Sequence, residues 1–258
     1  MLGQTRSSLL AINGDSFMGA ANWLQLSADL KSVTLDPFSD GSEMFCETVA
    51  EFDDAKAKLH ADFALCITRF TFSWTAFEIL VEACKLEPHP SQIRSREPSK
   101  GKMGTWLLKK KAVNANDYKG YEHILEHAFE CMARASSFEK VLIPHPKDND
   151  YINEAGYGLE ICRELRNKNL HGHLGVPIPF DWGEDRVPDR SELHFYNFAL
   201  RLLLMSIQMV LACQIHSSLK LTEDDFLFED SGPDLSKYLR VLQLAETKPH
   251  SPHWFQAF

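Results

Sequence analysis

The chain has 258 residues, 44% hydrophobic and 24% charged, which suits an ordinary globular protein with room for one large domain and additions. A net charge of −9 argues against indiscriminate coating of nucleic acid. Six cysteines without a C-x-x-C pair argue against a disulfide framework and for free core thiols in a reducing cytosol.

Helical periodicity dominates, and alternating strand patterns are nearly absent. Residues 1–40 read as an appendage with one amphipathic helix over 18–30, ended by the turn signals of residues 36–41. A long helical stretch follows over 42–85. Ser42 suits its cap, Glu43 and Glu47 suit its positive first turn, and a break is expected near His60. Its second half carries Ile67, Phe70, Trp74, Phe77 and Val81 at spacings of three and four, and Pro88 and Pro90 stop it.

Residues 91–120 hold eight basic side chains against Glu97 and Asp117, about +6 locally, which leaves about −15 on the rest. This segment is expected as a long connection with one helical turn around Trp106 and Leu107. It reads either as a solvated loop or as a basic arm, with Lys109, Lys110 and Lys111, that draws phosphates towards a nearby site.

A third helix is expected over 118–139 and a loop over 143–150. The next helix starts near Tyr151 or Asn153 and ends at about His171 or Gly172. A fourth major helix spans 191–220. Its stretch 195–215 is nearly long enough to cross a membrane, but Asn197, Arg201, Ser206, Gln208 and Gln214 would be costly in lipid, so a buried helix and no membrane are expected. An acidic stretch over 223–230 leads to a small helix over 235–244. The whole reads as all-α, an antiparallel four-helix bundle. Its boundaries are an N-terminal appendage 1–40, a bundle 41–220 with a basic insertion 91–120, and a C-terminal segment 221–258.

The chemistry concentrates in Arg166-Asn167-Lys168-Asn169-Leu170-His171, followed by Gly172. Eleven arginines and eleven histidines give roughly half a chance Arg-x4-His pair per chain; an Asn beside the Arg lowers that to roughly one or two in a hundred. In a helix, positions 166 and 171 lie ~7.5 Å apart along the axis and ~140° apart in azimuth, whereas Asn167 and His171 share a face. Arg166 and His171 therefore meet on one substrate if the helix ends at His171 and the ring swings back, or if two copies of the helix face each other. Gly172 supports an ending there, and the negative pole of the helix favours a cation on His171. A poised imidazole can take a proton from a ribose 2′-hydroxyl or give one to a leaving 5′-oxygen. Arg166 can clamp the phosphate, Lys168 can add to phosphate binding, and Asn167 can orient the ring.

This block, late in an all-α chain, resembles the HEPN superfamily, whose signature is Arg, a polar residue, three variable residues and His. The earlier helix Phe72-Ser73-Trp74-Thr75-Ala76-Phe77-Glu78-Ile79-Leu80 also resembles a leading helix of that family. The resemblance covers roughly residues 63–218. It implies a four-helix bundle that dimerises through its motif helices. It also implies a metal-independent endoribonuclease acting on single-stranded RNA, without cofactor, in a toxin or anti-phage role and with an antitoxin or regulatory partner. The implied catalytic set is Arg166, Asn167 and His171 from both copies, with Glu78 holding Arg166. Other readings stay open. The chain is read alternatively as an inactive binding or interaction module for RNA, nucleotide or protein. His171, His173, His194 and Glu192 are also weighed as metal ligands. His123 and His127 read as a polar helix face or a ligand-facing pair. Arg166 can also be paired with Glu160 or Glu164 of its own helix, with no catalysis.

Overall fold

The computed structural model describes residues 15–35, 47–135, 152–172, 175–177 and 190–214, and among these the chain is all helical with no strand. The helices are α1 (Asp15–Asp29), α2 (Glu47–Ala83), α3 (Lys100–Lys110), α4 (Tyr121–Arg134), α5 (Glu154–Leu170) and α6 (Ser191–Gln214), with 3-10 turns at Pro90–Gln92 and Ala115–Asp117. The expected Ser42 cap, the loop over 143–150, the acidic stretch and the helix over 235–244 lie outside the described residues.

α6 is the hub. Its middle, from Leu202 to Leu211, is apolar almost all round, and a helix of that kind must be covered on every side. α2, α3, α4 and α5 all pack on it. Two helical stretches, Glu51–Ala83 and Ser191–Gln214, are long and apolar enough to cross a membrane by composition; in the second, 78% of the most apolar window is already buried by the other helices.

α2 is ~55 Å long at 1.5 Å per residue and passes His60 without a break, contrary to the sequence expectation. Leu59 and Phe63 are buried and prolong the stripe of Phe70, Trp74, Phe77 and Val81 towards the N-terminus, and no glycine or proline interrupts the helix. It stops before the two prolines. Lys85 takes a left-handed φ of 50°, its N–H donates to Glu82 O, and the Leu86 N–H reaches back to Val81 O.

α1 lies antiparallel on α2. Ser27 Oγ donates to Arg69 O at 3.0 Å, Arg69 Nε donates to Leu30 O at 2.9 Å, and Trp23 meets Phe72 at 5.3 Å between ring centres. Ala20, Ala21 and Leu24 thereby join the same buried cluster as the α2 stripe. Leu24 alone contributes about 1.5–3 kcal/mol by its burial.

The basic segment corrects the expectation most. In place of a long connection it folds into α3, an eleven-residue helix with Gly101, Met103, Gly104, Thr105 and Leu108 buried. Two of its glycines are there for closeness. A Cβ on Gly104 would stand 2.8 Å from both Leu159 Cδ2 and Phe77 Cζ, and one on Gly101 would stand 2.9 Å from Arg163 Cγ. α4 begins at Tyr121, three residues later than expected, after Gly120 with φ 86°.

The first turn of α5 is held on three sides. Asn153 Oδ1 accepts the Gly156 N–H at 2.9 Å, as an N-cap should, while Asn153 Nδ2 donates to Leu108 O and Val113 O at the end of α3. Thr105 Cγ2 packs where a side chain on Gly156 would be. The buried Tyr121 hydroxyl enters the helix ladder itself: it accepts the Gly158 N–H at 2.8 Å and donates towards Glu154 O and Ala155 O. In a regular helix the Gly158 N–H donates to Glu154 O, so the phenol touches both ends of that rung.

Candidate active site at the end of α5

The Arg-Asn-x-x-x-His block fills the last turn of α5, which closes as the sequence suggested. His171 is the C-cap with φ −91°, its N–H donates to Asn167 O, and Gly172 takes φ 64° with its N–H on Asn169 O. Leu170, His171 and Gly172 are exposed. Leu170 is 63% exposed, and Val176, five residues after His171, is 56% exposed.

Arg166 turns towards α2, where its Nη2 lies 3.5 Å from Glu78 Oε1. The same carboxylate oxygen accepts a 2.7 Å bond from the indole N–H of buried Trp74, one turn earlier on α2. Trp74 thus fixes Glu78, and Glu78 faces the guanidinium. The Arg166 and Glu78 side chains are each about a third exposed. A pair that wet is worth no more than about 1 kcal/mol, so it orients Arg166 without closing it to a phosphate arriving from solvent.

The pairing of Arg166 with Glu160 or Glu164 does not occur. Arg163 takes both carboxylates: its Nε and Nη2 grip the two oxygens of Glu160 at 3.0 and 2.6 Å, and Nη2 also meets Glu164. Glu160 and Arg163 stand at i and i+3, the helical spacing for such a pair, whereas Arg166 has no acid three or four places away. That spacing was readable in the sequence and would have pointed Arg166 off its own helix.

Asn169, not singled out from the sequence, ties the turn to α6 by accepting the hydroxyl of Tyr196. Burial pushes that phenol well above its ordinary range, with the Asn169 bond opposing, so it stays protonated as the donor. Lys168 is half-buried in the same turn.

Lys109, Lys110 and Lys111 lie elsewhere. They end α3, beside the first turn of α5, and 18 helical residues from there to His171 amount to ~27 Å. Within one chain the structure does not bring them to Arg166 and His171. Nor is the segment a bare arm: Lys110 Nζ meets Glu87 Oε2 at 2.6 Å and Lys100 Nζ meets Glu82 Oε1 at 2.8 Å, both at the end of α2.

Glu192 and His194 sit in the first turn of α6, with Glu192 buried. Among the described residues, no three His, Cys, Asp or Glu side chains are grouped to hold a metal ion; His173 lies outside them. His123 and His127 line the polar face of α4. They face Glu126 and Glu130 at 3.7 and 3.3 Å, and the His127 ring stacks on Phe198. The five described cysteines are free. Comparison of the chain with protein-family models, curated proteins and solved structures gave no match.

Proposed function

We propose that this chain is a cytosolic, HEPN-type endoribonuclease that cuts single-stranded RNA without a metal, as a homodimer with a composite site. In this reading α2, α4, α5 and α6 are the four-helix bundle, α1 is an added helix, and α3 is an insertion that fills the bundle's flank. The observation that carries the reading is the closed, exposed end of α5. There His171 caps the helix in solvent, and Arg166, five residues earlier, is oriented by Glu78 from α2.

Two such ends facing each other across a dyad would bury Leu170 and Val176 and set each His171 near its partner's arginine. His171 takes the 2′-hydroxyl proton, the 2′-oxygen attacks the adjacent phosphorus, and the 5′-oxygen leaves with a proton from the second imidazole. Arg166 offsets the charge that gathers on the phosphate oxygens, and Asn167 orients the ring. The products are a 2′,3′-cyclic phosphate and a 5′-hydroxyl. A toxin or anti-phage role, with a protein that restrains it, belongs to the same proposal.

The test is purified protein on single-stranded RNA in EDTA. Cleavage with those end groups, reduced about 10²–10⁴-fold by His171→Ala, is the expected result. Intact RNA, or cutting that His171→Ala leaves unchanged, overturns it. One observation favours the alternative of an inactive RNA-binding or interaction module: Glu78 already balances the Arg166 charge in the resting chain. That reading predicts RNA binding that weakens in Arg166→Ala, with no strand scission by the parent protein.

A further inference from the structure

The ends of α2 and α3 meet around a cleft of about 260 Å³, far from His171. Leu86, Trp106 and Leu107 make its apolar side, and Lys85, Lys110 and Lys111 stand on its rim. A second cleft of about 300 Å³ begins on the other side of Lys111. Lys109 adds a fourth cation on the last turn of α3. Among the described residues only Lys110 of these four has an ion pair, with Glu87. Two helix carbonyl ends point here, which explains part of the lysine demand. They also make the cleft a poor seat for a compact phosphate, since no helix N-terminus among the described residues lines it. What suits it is a chain segment that brings several carboxylates to the long lysine stems and apolar side chains to the wall.

The sequence contains such a segment at the right place. Gln214, the last described residue of α6, lines the first cleft, and Glu223 follows nine residues later. Only eight residues separate the two, so the segment follows the cleft closely along the chain. Residues 223–230 read Glu-Asp-Asp-Phe-Leu-Phe-Glu-Asp: five acids around three large apolar side chains. We propose that residues 223–230 of the same chain dock on this lysine-rimmed cleft, with Phe226, Leu227 and Phe228 meeting Leu86, Trp106 and Leu107. A tether this short gives an effective concentration in the millimolar range, so even a weak, salt-sensitive contact is populated. The proposal is independent of any nuclease activity.

Zero-length carbodiimide coupling of the full chain at low salt, read by peptide mass spectrometry, tests it. The Lys110–Glu87 link is the internal control, since those groups are 2.6 Å apart. Expected are further links from Lys109, Lys110 or Lys111 to acids within 223–230, weakened several-fold in 0.5 M salt. An equal mixture of ¹⁵N-labelled and unlabelled chains should give links within one isotope only. The control link without any to 223–230, or mixed-isotope links showing a second copy in the cleft, overturns the proposal. As a second measurement, replacing Lys109, Lys110 and Lys111 together by Glu should speed chymotryptic cutting at Phe226 and Phe228 about tenfold; an unchanged rate counts against docking.

Discussion

Replacing Gly158 by alanine should destabilise the fold, although the same change in an open helix would stabilise it by about 0.5–1 kcal/mol. The added Cβ would stand 2.6 Å from Tyr121 Oη and 3.1 Å from Leu202 Cδ2. Tyr121 is 1% exposed and cannot swing into solvent. Overpacking of this kind costs about 1–3 kcal/mol. A displaced hydroxyl also loses its bond from the Gly158 N–H and its bonds to Glu154 O and Ala155 O, at about 1 kcal/mol for each one not remade. After the propensity gain is subtracted, the net loss is about 2–3 kcal/mol. With a urea slope of about 2–3 kcal/mol/M, the midpoint should fall by about 1 M. Tyr121→Phe removes the clashing atom, so Tyr121→Phe/Gly158→Ala should be less destabilised than the two single changes summed, by at least about 1 kcal/mol. A Gly158→Ala protein as stable as the parent, or strictly additive changes, would refute the account of a phenol wedged against the helix backbone.

Ala112 ends α3 at φ 48°, a conformation that costs an L-residue about 1–2 kcal/mol, and its N–H donates to Lys109 O. Ala112→Gly should remove that strain; after about 0.4–1 kcal/mol for the freer unfolded chain, a gain of up to about 1.5 kcal/mol remains. Thermal melting should rise by about 2–4 °C, and a fall would contradict the strained ending. Burial raises the Cys84 thiol to about 11. Because the thiolate is the reactive form, alkylation followed on the Cys84 peptide should be slow at neutral pH and climb about tenfold per pH unit until about pH 11. A plateau near pH 9 would show an unburied thiol.

The sequence was most readable where local chemistry and tertiary need agree. Asn153 as a helix start and Gly172 as a helix end need only capping rules, and both stand where those rules put them. α6 was legible as a buried helix because its apolar residues leave no polar stripe. α3 was missed because its first turn is Lys-Gly-Lys-Met-Gly-Thr, poor in helix propensity. The reason for its glycines is the nearness of Phe77, Leu159 and Arg163, which no local pattern contains. The expected interruption at His60 failed for the opposite reason: Asp53 to Lys58 is polar enough to hide the stripe, which resumes at Leu59. At the candidate site the residue types were readable from spacing alone. The Trp74–Glu78–Arg166 chain joins two helices some ninety residues apart in sequence, and the Tyr196–Asn169 bond has no sequence signal at all.

α5 is wedged most tightly at its start. Around Asn153, Gly156 and Gly158 it is wedged by its neighbours, whereas Leu170, His171 and Gly172 are exposed. A rod clamped this way unzips from its open tip, so amide protons of the terminal turn should trade with deuterium long before those beside Tyr121. A body that settles on Leu170 and Val176 would slow that breathing without touching the clamp, and isotope uptake by a single turn would then report whether two chains have met.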